Sequence, residues 1–288
     1  MPKSKQSNKR GLFSETWRRL KQNKTAMLGL GVIIALMICA IFAPLIAPYD
    51  PSKINVMDRM QGPSLKHLMG TDNFGRDIFS RIVYGSRISL YVGFIAVGIG
   101  AVFGGIIGGI GGYFGGILDN IIMRFMDVLL AIPRVILAIA IVGVLGTSLT
   151  NVMVAVGISI LPRYARVVRG SVLSYREEEF VEASKAIGAS DLRIIFETII
   201  PNSMAPIIVQ STLGIAKAIL SAATLSFLGL GIQPPTPEWG AMLSAGRQYM
   251  RTAPHLTIFP GIAIVVVVIS LNMLGDGLRD SLDPKLRQ

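Results

Sequence analysis

Cysteine is all but missing from this 288-residue chain: Cys39 is the single one. That excludes a disulfide within the chain and any cysteine-based metal site. Histidine is nearly as scarce. His67 and His255 lie far apart in the sequence and have no matching ligand cluster, so no metal motif is present. No lysine follows a glycine, so there is no phosphate loop ending in Gly-Lys-Ser/Thr. Charge is sparse, at 16% of residues, and its distribution decides what the chain is.

What the sequence has in quantity is apolar surface, 51% hydrophobic residues with a mean hydropathy of +0.58, gathered in blocks. Thr25–Tyr49, Ile88–Leu118 and Val135–Pro162 hold no charge at all. Ser203–Phe227 is broken only by Lys217, and Leu256–Leu274 is uncharged. A bilayer core takes about 20 apolar residues per helix. The blocks predict an all-α polytopic membrane protein with six spans, near 26–48, 88–113, 122–147, 151–171, 203–228 and 256–276. The first apolar stretch is longer than a secretory signal core, which favours an uncleaved first helix.

Orientation follows from lysine and arginine. Eight of them precede the first span: Lys3, Lys5, Lys9, Arg10, Arg18, Arg19, Lys21 and Lys24. With both termini in the cytoplasm, the inner segments carry 19 basic residues and the two outer loops carry 8. The net charge of +11 therefore calls for no nucleic acid. The basic N-terminus reads as a topology signal, with attraction to anionic lipid as the alternative. The resulting division is a basic N-terminus at 1–25, the first helix at 26–48 and an external loop at 49–87. A core at 88–276 follows, with an inner loop at about 172–202, and then a tail at 277–288.

Some residues stand out against this background. Gly100, Gly104, Gly108 and Gly112, with Gly116 beyond them, recur every fourth position and lay a smooth stripe along the second helix. Small residues let two backbones come close in lipid, for static packing or for sliding during gating. Gly70-Thr71-Asp72-Asn73-Phe74-Gly75-Arg76-Asp77 is rich in turn residues but is no phosphate cradle. Arg124 and Asp127 are spaced to pair along a helix turn. Arg134, just after Pro133, should face helices or water rather than lipid. Arg163, Arg166 and Arg169 share one face, suited to headgroups or a partner. Lys217 is a lone cation near the middle of the fifth helix. A lone cation there is expected to face a water-filled path, where it could meet an anionic group, or to pair with an acid of a partner.

The most telling stretch is Glu182-Ala183-Ser184-Lys185-Ala186-Ile187-Gly188, closing at Ile200-Pro201. Acids open a short helix, where the dipole is positive. Gly188 suits its end in the left-handed conformation, and Ser190 or Asp191 can cap a second helix before Pro201. A helix of about two turns is marginal alone in water. The island is either an ordinary helical hairpin or a docking surface for a partner.

This pattern resembles the EAA loop of binding-protein-dependent ABC importers. Ser184 stands where that pattern has a second alanine, and Thr198 and Ile200 stand for isoleucine and leucine. The resemblance extends along nearly the whole chain, to the C-type permease of dipeptide and oligopeptide importers in the peptide/nickel branch. It is carried by Gly70-Thr71-Asp72 with Gly75-Arg76-Asp77, by Met123-Arg124 with Asp127, and by Pro162-Arg163-Tyr164-Ala165-Arg166 with Val168-Arg169-Gly170. Further on come Leu225-Ser226-Phe227-Leu228-Gly229-Leu230-Gly231, Gln233-Pro234-Pro235-Thr236-Pro237 with Trp239-Gly240, and Asn272-Met273-Leu274-Gly275-Asp276-Gly277-Leu278-Arg279-Asp280 with Leu282-Asp283-Pro284.

The resemblance implies a type I ABC importer permease fold in the cytoplasmic membrane. It also implies a second homologous permease, two ATPase subunits that bind ATP and magnesium, and an extracytoplasmic peptide-binding protein. The chain would be a translocation subunit without catalytic residues, metal or cofactor of its own. Glu182, Ala183, Ser184, Ala186 and Gly188 would make the ATPase contact. Nickel or another small solute is the alternative cargo. An ion-coupled carrier would want central membrane acids, absent from helices 1, 2, 5 and 6, and often inverted repeats. A scaffold without transport would need no coupling island.

Overall fold

The computed structural model describes residues 9–282. Lys3, Lys5, Asp283, Pro284, Lys285 and Arg287 lie outside the described residues. Among the described residues the chain is helical, and its sole β feature is an isolated bridge between Thr71 and Asp77. The helices are α1 (Lys9–Gln22), α2 (Lys24–Ile41), α3 (Ala43–Ile46), α4 (Ile78–Phe114), α5 (Gly116–Ala131), α6 (Arg134–Leu145) and α7 (Leu149–Tyr175). Then come α8 (Glu179–Ala186), α9 (Asp191–Arg193), α10 (Ile200–Asn202), α11 (Met204–Phe227), α12 (Trp239–Gly246) and α13 (His255–Leu282). A wide π-helical turn, Ile194–Ile199, joins α9 to α10.

Polar residues set the starts. Asn23 accepts from Ala26 N at α2, Asp77 from Ser80 N at α4, and Ser148 from Asn151 N at α7. Each satisfies an amide that the helix leaves open. Prolines set two of the breaks. Pro44 lacks the amide that would carry α2 onward, and the chain turns at Phe42 into α3. The expected first helix at 26–48 is thus α2 plus the short α3. At Ile132-Pro133 the chain bends by 94°, so the straight third span expected at 122–147 is instead the broken pair α5 and α6.

Five helices are long and apolar enough to cross a membrane, and the bent pair makes six if it counts as one span. The largest departure is α4. It begins at Ile78, ten residues before the expected 88, so the end of the segment assigned to the external loop is helical. Three polar residues of its first turns are partnered within the protein: Ser80 donates to Asp77, Arg81 donates to Pro51 O at 2.7 Å, and Ser86 donates to Val83 O. At 37 residues it is about 55 Å long, well beyond a hydrocarbon core of about 30 Å.

α4 and α7 lie against one another along much of their length, with α11 and α13 packed beside them. Val92, Ala96, Val156, Ile160, Ile219 and Leu225 anchor the central core. Away from it, Ile34, Ile38, Phe94, Phe103, Ile262 and Ile269 are exposed, which suits contact with lipid tails. A second apolar cluster joins Tyr113, Val168 and Val172, at the ends of α4 and α7, to Val181, Ile194, Ile195 and Ile199. We call this the island end. The opposite end carries residues 47–77 and is called the lobe end.

Candidate coupling surface and translocation path

The island at 176–202 is built on few anchors. Glu178 precedes α8 in extended conformation, and Glu179 and Glu182 occupy its first turn. Gly188 adopts φ +81°. Its amide donates to Lys185 O, and Ala189 N donates to Ser184 O. This pair of bonds is the Schellman termination, which calls for glycine at the left-handed position. Only Val181 of α8 is fully buried, in the second cluster. Three polar side-chain contacts tie the island to the end of α4: the Tyr113 hydroxyl donates to Asp191 at 2.7 Å, Arg176 donates to Gly112 O at 3.4 Å, and Lys185 lies over the Tyr113 ring.

Glu182, Ala183, Ala186 and Gly188 are exposed, and Ser184 is half-buried with its hydroxyl donated to Phe180 O. The island brings these residues together at one surface. Beside them opens a cleft of about 240 Å³, lined by Ser184, Ile187, Gly188, Ala189, Arg193, Glu197 and Thr198. Ile187, which lines the cleft, is 84% exposed, and Leu192 and Phe196, elsewhere on the island, are 58% and 47% exposed; the sequence pattern assigned these large apolar side chains no role. The available signal was an apolar residue on each side of a turn glycine.

Toward the bilayer centre, α5 supplies acids to α7. Arg169 makes a two-pronged contact with Asp119 at 2.6 Å for both bonds, and Arg166 donates to Asp127 at 2.7 Å. Asp127 therefore pairs with Arg166 across two helices and not with Arg124 one turn away. The broken pair brings α5 beside α7, and that juxtaposition outcompetes the local spacing. Arg163, the third of the series, has no acidic partner among the described residues.

The glycine stripe runs against α7. A β-carbon on Gly100 would fall 2.6 Å from Ile160, and one on Gly104 would fall 2.6 Å from Leu161 O. At Gly108 it would fall 2.1 Å from Ala165 O, and at Gly112 3.0 Å from Val172. The stripe is a close backbone contact. Gly116 does not extend it. It opens α5 at φ +59° with nothing within 4 Å of its β-carbon position. Lys217 is half-buried on α11, which packs against α7 and α6, the helices that carry Arg163 and Arg134.

At the lobe end, the Gly70–Asp77 run folds into a buried polar knot. Asp72 accepts from Phe74 N, Arg76 N and Arg76 Nε, and Asp77 caps α4 while facing His67 Nδ1 at 2.9 Å. His255 comes to the same turn, with its Nε2 3.3 Å from Thr71 O. The two histidines are distant in sequence and meet around one loop. The lobe continues into the 228–256 loop: Trp239 Nε1 donates to Ile82 O, and Glu238 accepts from Gly240 N and Ala241 N as the cap of α12. Burial pushes the Glu238 carboxyl above the ordinary glutamate value.

Comparison with known proteins agrees with this geometry. The family described as "Binding-protein-dependent transport system inner membrane component" matches residues 100–288, and the "N-terminal TM domain of oligopeptide transport permease C" matches residues 11–63. The chain is 51% identical over 275 residues to the dipeptide transport system permease protein DppC of Alkalihalophilus pseudofirmus, covering 96% of this chain and 90% of that one. It is 49% identical over 288 residues to the glutathione transport system permease protein GsiD of Escherichia coli O6:K15:H31, covering 100% and 95%. Among solved structures, an inward-facing form of the MetNI methionine ABC transporter shares the fold. Its TM-score is 0.57 at 19% identity, over 70% of this chain and 96% of that one. The chain belongs to the family of inner-membrane components of binding-protein-dependent transport systems, and it is a multi-pass ABC importer permease of the inner membrane.

Proposed function

We propose that this chain is one of two related permease subunits of an ATP-driven importer that moves dipeptides or short oligopeptides into the cytoplasm. Two ATPase subunits hold ATP and magnesium beneath it, and an extracytoplasmic binding protein delivers the peptide above. Both termini and the island end face the cytoplasm, and the lobe end faces outward. The peptide assignment is supported by half-identity, across nearly the full chain, to a relative named for dipeptide transport.

In this reading Glu182, Ala183, Ser184, Ala186 and Gly188 present α8 to a groove of the ATPase, and Ile187, Leu192 and Phe196 widen the contact. ATP closes the two ATPases and draws the two islands together. The island is bolted to the ends of α4 and α7 through Val181, Tyr113 and Asp191. Its displacement therefore moves the α4/α7 pair, which the glycine stripe holds as a close-packed unit. The outer side opens to the binding protein, and hydrolysis returns it inward.

The observation that carries this reading is an exposed, apolar-edged helix hung on the ends of the two longest-packed helices. The test is reconstitution in liposomes with the second permease and the ATPases. The binding protein is then added with dipeptide, longer peptide or nickel. ATP hydrolysis should rise with loaded binding protein and peptide. Stimulation by nickel alone would reassign the cargo. Failure of any ATPase to associate would overturn the coupling role.

A further inference from the structure

Arg163 breaks the rule that its neighbours obey. Arg166 and Arg169 are each neutralised by an acid of α5. α5 then ends, the chain bends by 94°, and α6 supplies no acid at all. Where an acid would complete the series there are two more cations instead. Arg134 opens α6, and Lys217 lies on α11 one turn beyond Gly214, which packs against the hydroxyl of Tyr164, the residue next to Arg163. Arg134 and Lys217 both feel the charge of Arg163. The three helices α6, α7 and α11 pack on one another. Among the described residues none of the three cations has an ion-pair partner. Arg163 is exposed, and Arg134 and Lys217 are half-buried.

Depth sharpens the point. Arg163 and Lys217 each lie at least ten residues from either end of a helix long and apolar enough to cross the membrane. Cations there are expensive, face water or protein, and mark solute pathways. Three together repel one another, so the cluster is held in readiness for an anion. A single permanent acid from a neighbouring subunit would still leave it strongly positive. The guanidinium groups offer paired N–H donors that match a carboxylate, and Lys217 adds a point charge.

We infer that Arg134, Arg163 and Lys217 form a station within the helical bundle for the C-terminal carboxylate of the peptide in transit. This rests on the peptide-importer reading above. A carboxylate is the one anionic group that every peptide carries regardless of its side chains. A station that reads it serves many sequences while leaving the rest of the path unspecific. The station is transient by construction, because no acid of this chain competes for the three cations.

The test uses the complete transporter in liposomes and compares uptake of a dipeptide with that of its C-terminal amide. Each is supplied on binding protein shown to be loaded, and rates are normalised to that loading. Wild type should favour the free acid. In Arg163→Gln and Lys217→Gln the acid-to-amide ratio should fall about tenfold, the loss of one charge-assisted contact. Lys217→Arg should retain most of it. Both glutamine variants should copurify with the second permease as wild type does. Loss of that copurification would mean that the cations pair with an acid of the partner subunit, and would overturn the inference. An unchanged ratio would overturn it as well. If wild type takes up neither peptide, the peptide reading itself has failed, which is a separate outcome.

Discussion

The lobe end and the island end solve opposite problems. At the lobe end, charged groups are buried and answered from within: Asp72 by Arg76 and two backbone amides, Asp77 by Ser80 and His67, Glu238 by two amides of α12. Buried networks are costly where members go unsatisfied, and here the chain supplies partners for the carboxylates itself, while His67 Nε2 and Asn73 Oδ1 are left without a hydrogen bond. At the island end the arrangement is reversed. The Arg193–Glu197 pair is two-thirds exposed on both sides, and Ile187, Leu192 and Phe196 face outward. The lobe answers its buried carboxylates within this chain, whereas the island leaves its ion pair at the surface; both ends keep large apolar side chains exposed, Met57 and Leu65 at the lobe and Ile187 at the island.

The comparison can be broken most severely at Gly75. It adopts φ +75°, and a β-carbon there would fall 1.7 Å from Asn55 O. Gly75→Val should cost on the order of 3 kcal/mol or more and unfold the lobe. Thermal unfolding of the purified complex would then show a large drop or no assembled complex. A variant as stable as wild type would mean that the lobe is not a rigid knot.

At Gly188 the same kind of backbone meets open space, with nothing within 4 Å of the β-carbon position. Gly188→Trp should therefore cost roughly 1–2 kcal/mol locally, from the left-handed conformation alone. Membrane assembly should survive while ATP hydrolysis separates from uptake, since the indole fills the docking surface. Normal transport by this variant would remove Gly188 from the coupling contact.

A subtler test uses Glu238. Burial raises its carboxyl in the folded state, so the native protein holds that proton more tightly than the unfolded chain does. Its contribution is fully present below the unfolded value of about 4.3 and is lost as pH rises toward the folded value. Glu238→Gln should flatten that part of the stability curve and cost a little at every pH through weaker capping. Melting temperatures of both proteins between pH 4 and 8 would check the slope.

The smallest effect is expected at Lys66, which donates to Asp58 at 2.9 Å on the exposed rim of the lobe. The Lys66 hydrogen bond holds the Asp58 carboxyl below its usual value, so its contribution exists above that range and fades as pH falls through it. Solvent screening leaves little of it. Lys66→Met should leave the melting temperature at neutral pH within measurement error. A clear drop would show that the rim, and not only the buried knot, holds the lobe together.

Much of this was legible in the sequence because the bilayer imposes a coarse rule. Uncharged runs of about 20 residues have few other uses, and the Glu-Ala motif with its turn glycine marks a surface helix. The misplaced pairing has a physical cause. Arg124 had the right spacing for Asp127, but the break at Ile132-Pro133 brings α5 beside α7, and Arg166 had the right position. The deciding atom came from a helix far away in sequence.

Composition and hydropathy by themselves determined that the chain is helical, polytopic and without nucleotide or metal chemistry motifs of its own. The reason is that unpaired backbone and charge are too costly in lipid to leave much choice. Only the tertiary structure decided that the third span breaks by 94°, that the glycine stripe meets α7, and that three cations gather with no acid among the described residues. Those outcomes depend on how helices approach one another. Close packing and ion pairing act between side chains in space, where sequence distance carries no information.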